Sequence, residues 1–126
     1  IRNLNKINSD KIIRELFLLI FPELKNINRI NKIDPVSQQI LNGKKFEFIL
    51  SLLIVDKSEN CDYFVYKYNL TNKEKDKINF LNSIFSEEPN KNFFTKENLS
   101  KIVLKIGKEK LTDILDFQIL NLNVLL

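Results

Sequence analysis

The sequence predicts an all-α fold, an irregular bundle of about six to eight short helices. Apolar residues recur at three- and four-residue spacings along most of its 126 residues. Two glycines and three prolines are too few to build a set of tight hairpins. Residues 46–55 are apolar on almost every side and have no second strand candidate to pair with, so they read as a buried helix. At this length one domain, residues 1–126, can bury a substantial core. With 44% apolar and 29% charged residues, wholesale disorder is not expected.

The elements follow in order. Residues 8–21 form a helix capped by Asn8 or Ser9, with Ile12, Ile13, Leu16, Phe17 and Ile20 on one stripe. After Pro22, Leu24, Ile27, Ile30 and Ile33 recur at every third position and suggest a short second helix ending before Asp34-Pro35. Val36 to Leu41 is a further short helix with Gly43 near its end. The run from Phe46 to Val55 is the central helix, with Phe46, Ile49, Leu50, Leu53 and Ile54 expected at the middle of the core. Residues 58–70 carry Cys61, Phe64, Val65 and Tyr68 at helical spacing behind a Ser58 cap. Thr71 and Glu74 stand at capping-box spacing and open a helix over residues 72–85 that buries Ile78, Leu81, Ile84 and Phe85. Residues 86–92 read as a loop and hinge. Thr95 caps a helix with Leu99, Ile102, Val103 and Ile106 inward, and Gly107 stands where a left-handed cap would end it. Residues 108–122 form the last helix, with Leu111, Ile114, Leu115 and Ile119 inward.

Little catalytic chemistry is available. There is no histidine, which removes the commonest general base and metal ligand. Cys61 is alone, so no internal disulfide can form, and its apolar setting reads as a core thiol in a reducing, cytoplasmic protein. No Walker loop, Gly-Ser pair or Asp-x-Asp occurs. Asp113 and Asp116, three apart on a helix, are expected to face solvent. No catalytic residue and no metal ligand is assigned. The apolar stretches fall short of the roughly 18 residues a membrane span needs. The absence of methionine, even at position 1, suggests a fragment.

The lysines are the remaining signal. The net charge is +4, from 20 basic and 16 acidic groups. Lys101, Lys105 and Lys108 repeat at spacings of four and three, and Lys73 and Lys77 repeat in the same way earlier. Such rows suit a phosphate backbone, giving sequence-independent, salt-sensitive attraction. The competing interpretation is a solvated face neutralised by Glu74, Asp76, Glu97 and Glu109, and the pattern alone favours it. Tyr63, Tyr66 and Tyr68 could stack on bases but more commonly pack at a core rim.

Three segments carry a family resemblance. The stretch Tyr66-Lys67-Tyr68-Asn69-Leu70-Thr71-Asn72-Lys73-Glu74 resembles the L-R-L-S-N-x-E-R junction in the C-terminal body of bacterial CCA-adding tRNA nucleotidyltransferases and their poly(A) polymerase relatives. Asn8 to Leu16 is similar to the family's S-x-E-R-I-x-x-E-L, Phe46 to Asn72 to the apolar helix, short break, amphipathic helix and junction of its body, and Leu99 to Leu115 to its tail, in which a helix ends at Gly before an Asp-Leu-Leu-like run. The chain departs from the pattern at Lys11, where the family has Arg, and at Tyr66 and Tyr68, where it often has Leu. The resemblance implies residues 1–87 as the end of a neck and a body, and residues 88–126 as a tail. It also implies tRNA as partner, with Lys73, Lys77, Lys101, Lys105 and Lys108 as phosphate contacts. Nucleotidyl transfer, and the magnesium, ATP and CTP it uses, would belong to a catalytic head of the same parent protein, whose motifs are absent here. No cofactor is then expected for this chain. The alternative is a small helical protein-interaction domain with no nucleic-acid role.

Overall fold

The structure, a computed structural model, describes residues 19, 21–24, 26–30, 34–87, 89 and 91–122. Among them are six α-helices and no strand: α1 (Pro35–Asn42), α2 (Phe46–Ile54), α3 (Asn60–Lys67), α4 (Asn72–Phe85), α5 (Lys96–Ile106) and α6 (Lys108–Leu122). Short 3₁₀ turns occupy Pro22–Leu24, Ile27–Ile30 and Lys91–Phe94. The fold is an all-α bundle, and no described helix is long and apolar enough to cross a membrane. The helix expected over residues 8–21 lies outside the described residues, apart from Leu19 and Phe21.

The second expected helix is replaced by the first two 3₁₀ turns. The three-residue spacing that suggested a helix is itself the reason. A 3₁₀ turn has three residues per turn, so positions three apart eclipse one another. Leu24, Ile27 and Ile30 are accordingly all buried. Helix α1 starts where Asp34 accepts a hydrogen bond from the Ser37 amide and Pro35 fills the first helical position.

Helix α2 is the centre of the bundle. Every residue from Phe48 to Ile54 is buried, and the helix packs most extensively on α4 and on the Ile27–Ile30 turn. Ser51 is tolerated there because its hydroxyl donates back to the Glu47 carbonyl. Ile49, Leu50, Leu53 and Ile54 take their expected central places, but Phe46 does not: it is 61% exposed. Phe46 is the first residue of α2, ahead of the buried stretch.

Helix α6 also corrects the expectation. Ile114 is buried, but Ile119 is exposed, and the buried stripe continues through Asp113, Phe117 and Leu120. Phe117 fills the middle of the molecule, stacked on Phe85 at 4.2 Å and set edge-on to Phe48 at 6.4 Å between ring centroids. Helix α5 packs on α6 and the Lys91–Phe94 turn and has no buried residue. Its apolar side, Leu99, Ile102, Val103 and Ile106, is only half-buried. Cys61 is a buried free thiol, as expected.

Candidate functional site

The junction between α3 and α4 is built locally. Helix α3 ends at Lys67 as Tyr68 turns extended, and α4 begins after Thr71, so the two helices are separate elements. The Glu74 amide donates to Thr71 Oγ1 at 3.2 Å, and the Thr71 amide donates to Glu74 Oε1 at 2.9 Å. Two free N–H groups at the start of α4 are thereby satisfied. These hydrogen bonds hold the Glu74 carboxyl below its ordinary value. Ser58, expected to cap α3, lies two residues before it, and its hydroxyl accepts from the Asn60 amide. Tyr68 packs on Phe64 and Phe21, whereas Tyr66, expected at a core rim, is 90% exposed.

The capping box fixes Lys73 on the first turn of α4 and Lys77 one turn later on the same side. Both line a cleft of about 380 Å³ that also takes in Lys44 and Lys45, from the loop between α1 and α2, and Lys110 of α6. Phe48 and Phe80 form its apolar part.

At one side of this cleft lies Asp113, buried rather than facing solvent as the sequence suggested. Lys44 Nζ donates to Asp113 Oδ1 at 2.9 Å and reaches Asp116 Oδ2 at 2.7 Å, while Lys77 Nζ donates to Asp113 Oδ2. The partners come from three separate places in the chain, which is why the pair Asp113/Asp116 read as solvated: its counter-ions are remote in sequence. Burial would depress the Lys44 pKa, but its hydrogen bonds and charge pairing with Asp116 and Asp113 outweigh that and raise it. Lys44 also sits 4.7 Å over the Phe48 ring, and Lys110 5.2 Å over Phe80.

The five lysines of the cleft are therefore not equivalent. Lys44 and Lys77 are committed to carboxylates, while Lys45 and Lys73 are exposed and make no ion pair among the described residues. Glu47, Asp76 and Glu109 also line the cleft and temper its positive potential. Its exposed cations are Lys45, Lys73 and Lys110.

The other lysine row is divided. Lys101 and Lys105 are exposed on α5, but Lys108 is the first residue of α6, beyond Gly107. Gly107 has φ 87° and ψ 166°, an extended left-sided conformation open essentially to glycine alone, rather than the left-handed helical cap expected. The chain therefore changes direction between Lys105 and Lys108, and the three do not form one helical stripe. None of them lines the cleft.

Sequence reasoning missed Lys44, Lys45 and Lys110. The Gly43-Lys44-Lys45 step, following a helix end, was the available signal for the first two. Among the described residues, no group of three or more His, Cys, Asp or Glu side chains is placed to hold a metal ion. No protein-family model matches this chain, and neither does any curated protein or solved structure compared with it.

Proposed function

We propose that this chain is the tRNA-holding body and tail of a nucleotidyltransferase of the CCA-adding type, gripping phosphates for a catalytic head of the same parent protein. The observation that carries this reading is the capped junction at Thr71 and Glu74, where the resemblance is densest, with Lys73 on its first turn at the rim of a lysine-lined cleft. The exposed lysines Lys45, Lys73 and Lys110 would engage the RNA backbone, and Lys101 and Lys105 would add a second patch on α5. Contacts of this kind fix register without reading bases. Lys44 and Lys77, tied to Asp113, would shape the cleft rather than meet phosphate. tRNA affinity measured across a salt series tests this assignment. The double variant Lys45→Gln plus Lys73→Gln is expected to flatten the slope of log K against log salt by about 0.7–0.9 per lost contact. Unchanged affinity and slope in that folded variant would contradict it.

One observation favours a different reading, a protein-interaction domain. Leu104 of α5 is 87% exposed, and a groove of about 380 Å³ beside Phe94, Leu99, Val103 and Leu111 runs along the same helix. If this groove is the working surface, replacing Val103, which lines it, with Ser will weaken partner binding while the salt-dependent affinity for RNA is absent from the start.

A further inference from the structure

Arg29 lies on the Ile27–Ile30 turn and is only 7% exposed. The turn is tied to the end of α2: Asn26 donates from its amide and its side chain to the Leu53 carbonyl. Arg29 Nη1 donates to the Leu52 carbonyl at 2.9 Å and to the Val55 carbonyl. Helix ends leave such carbonyls without intrahelical partners, so the guanidinium caps α2. Its Cζ lies 5.3 Å from the centroid of the Phe117 ring.

That arrangement uses one edge of the guanidinium. Arg29 has five N–H donors, and among the described residues Nε and Nη2 make no hydrogen bond and no carboxylate stands within ion-pair distance. Burial holds the group down at about 10, with Asp56 pulling the other way through its charge. A buried cation without an anion in contact is costly, and Nε and Nη2 are not among the atoms sealed from solvent, so a ligand can reach them. Arg29 lines a pocket of about 390 Å³ together with Lys57, Ser58, Asn121 and the apolar wall of Phe85. Asp56 also lines it, but its carboxylate already accepts from Asn26 Nδ2, the Ser58 amide and the Ser58 hydroxyl. The pocket shares no lining residue with the lysine cleft.

We infer that this pocket is a binding site for a small oxyanion, a phosphate or carboxylate group, received by the Nε/Nη2 edge of Arg29. The fork of a guanidinium matches two oxygens of either group, and a site closed on one side by Phe85 strengthens that pairing. Asp56 opposes the anion and keeps the affinity modest.

The test is a titration of the isotope-labelled chain with sodium phosphate and, separately, sodium acetate, each against sodium chloride at matched ionic strength, followed by amide NMR. Saturable shifts at Lys57, Ser58 and Asn121 are expected, and the anion that saturates them at the lower concentration identifies which oxyanion the pocket takes. Arg29→Lys, which keeps the charge but loses the fork, should weaken binding about tenfold. Asn121→Asp, which adds a negative charge to the lining of the pocket, should abolish binding without removing Arg29, and serves alone if Arg29→Lys does not fold. Shifts that match those in chloride, shifts confined to Lys45 and Lys73, or saturation unchanged in the folded variants would each overturn the inference.

Discussion

Asp113 is a carboxylate on the inward stripe of α6, and it is stable there because Lys44 and Lys77 reach it from two other elements. Removing one member of such a group leaves buried charge uncompensated. Asp113→Ala is expected to cost about 3 kcal/mol, the lower end of the range for a broken buried pair, because Lys44 and Lys77 can swing toward water. Urea denaturation measures this, and a loss well under about 1 kcal/mol would reduce the network to a surface ion pair. Cys61 gives a second residue-scale prediction. Burial, with the nearby Asp62 and Asp56 charges, pushes its thiol from 9.0 up to about 12. The folded state thus keeps the proton that the unfolded state loses first, so this contribution to stability is intact below about pH 9 and is lost as pH rises toward 12. At pH 8 a thiol reagent should label the native chain slowly and the unfolded chain fast; immediate labelling of native protein would contradict its burial. Neither the inward place of Asp113 nor that of Phe117 was legible in the sequence. A charged residue reads as solvated until its counter-ions, 69 and 36 positions away, are seen. Phe117 falls between Leu115 and Ile119, which offered an equally apolar stripe.

At the scale of elements, signals confined to a few consecutive residues were legible. Thr71 and Thr95 each cap a helix where expected, and α4 and α6 have the predicted extents. What failed depended on period or packing. A three-residue spacing fitted a 3₁₀ turn better than an α-helix, and the stripe of α5 found less cover than its regularity implied. The α3–α4 junction carries its own test. Thr71→Ala removes the acceptor of the Glu74 amide and should destabilise the fold by about 0.5–2 kcal/mol. Thermal unfolding of the variant measures it, and a neutral result would mean that α4 is held by its packing on α2 alone. The Glu74 carboxyl, held down by the same box, stabilises above its ordinary value of 4.5 and loses that effect as acid protonates it. Thr71→Ala keeps the amide that donates to this carboxylate and should weaken the acid dependence of unfolding only in part, whereas Glu74→Gln should remove it.

For the whole molecule, the class of the fold and the central place of α2 followed from composition and one stretch apolar on almost every side. Which charged faces come together did not, because the lysine cleft is assembled from the loop before α2, from α4 and from α6. The sequence placed Lys73 and Lys77 in a row, yet their chemistry diverges: Lys77 is spent on Asp113 while Lys73 stays open to solvent. The candidate site therefore has fewer free cations than a lysine count suggests, and that limits how strongly it can depend on salt. Affinity of the intact chain for tRNA, measured as salt is raised, tests the proposed role most directly. With Lys45, Lys73 and Lys110 as the contacts of the cleft and Lys101 and Lys105 as those of α5, the slope of log K against log salt should be about −3.5 to −4.5, at about 0.7–0.9 per phosphate contact. Absence of tRNA binding at low salt, or binding indifferent to salt, would contradict the account.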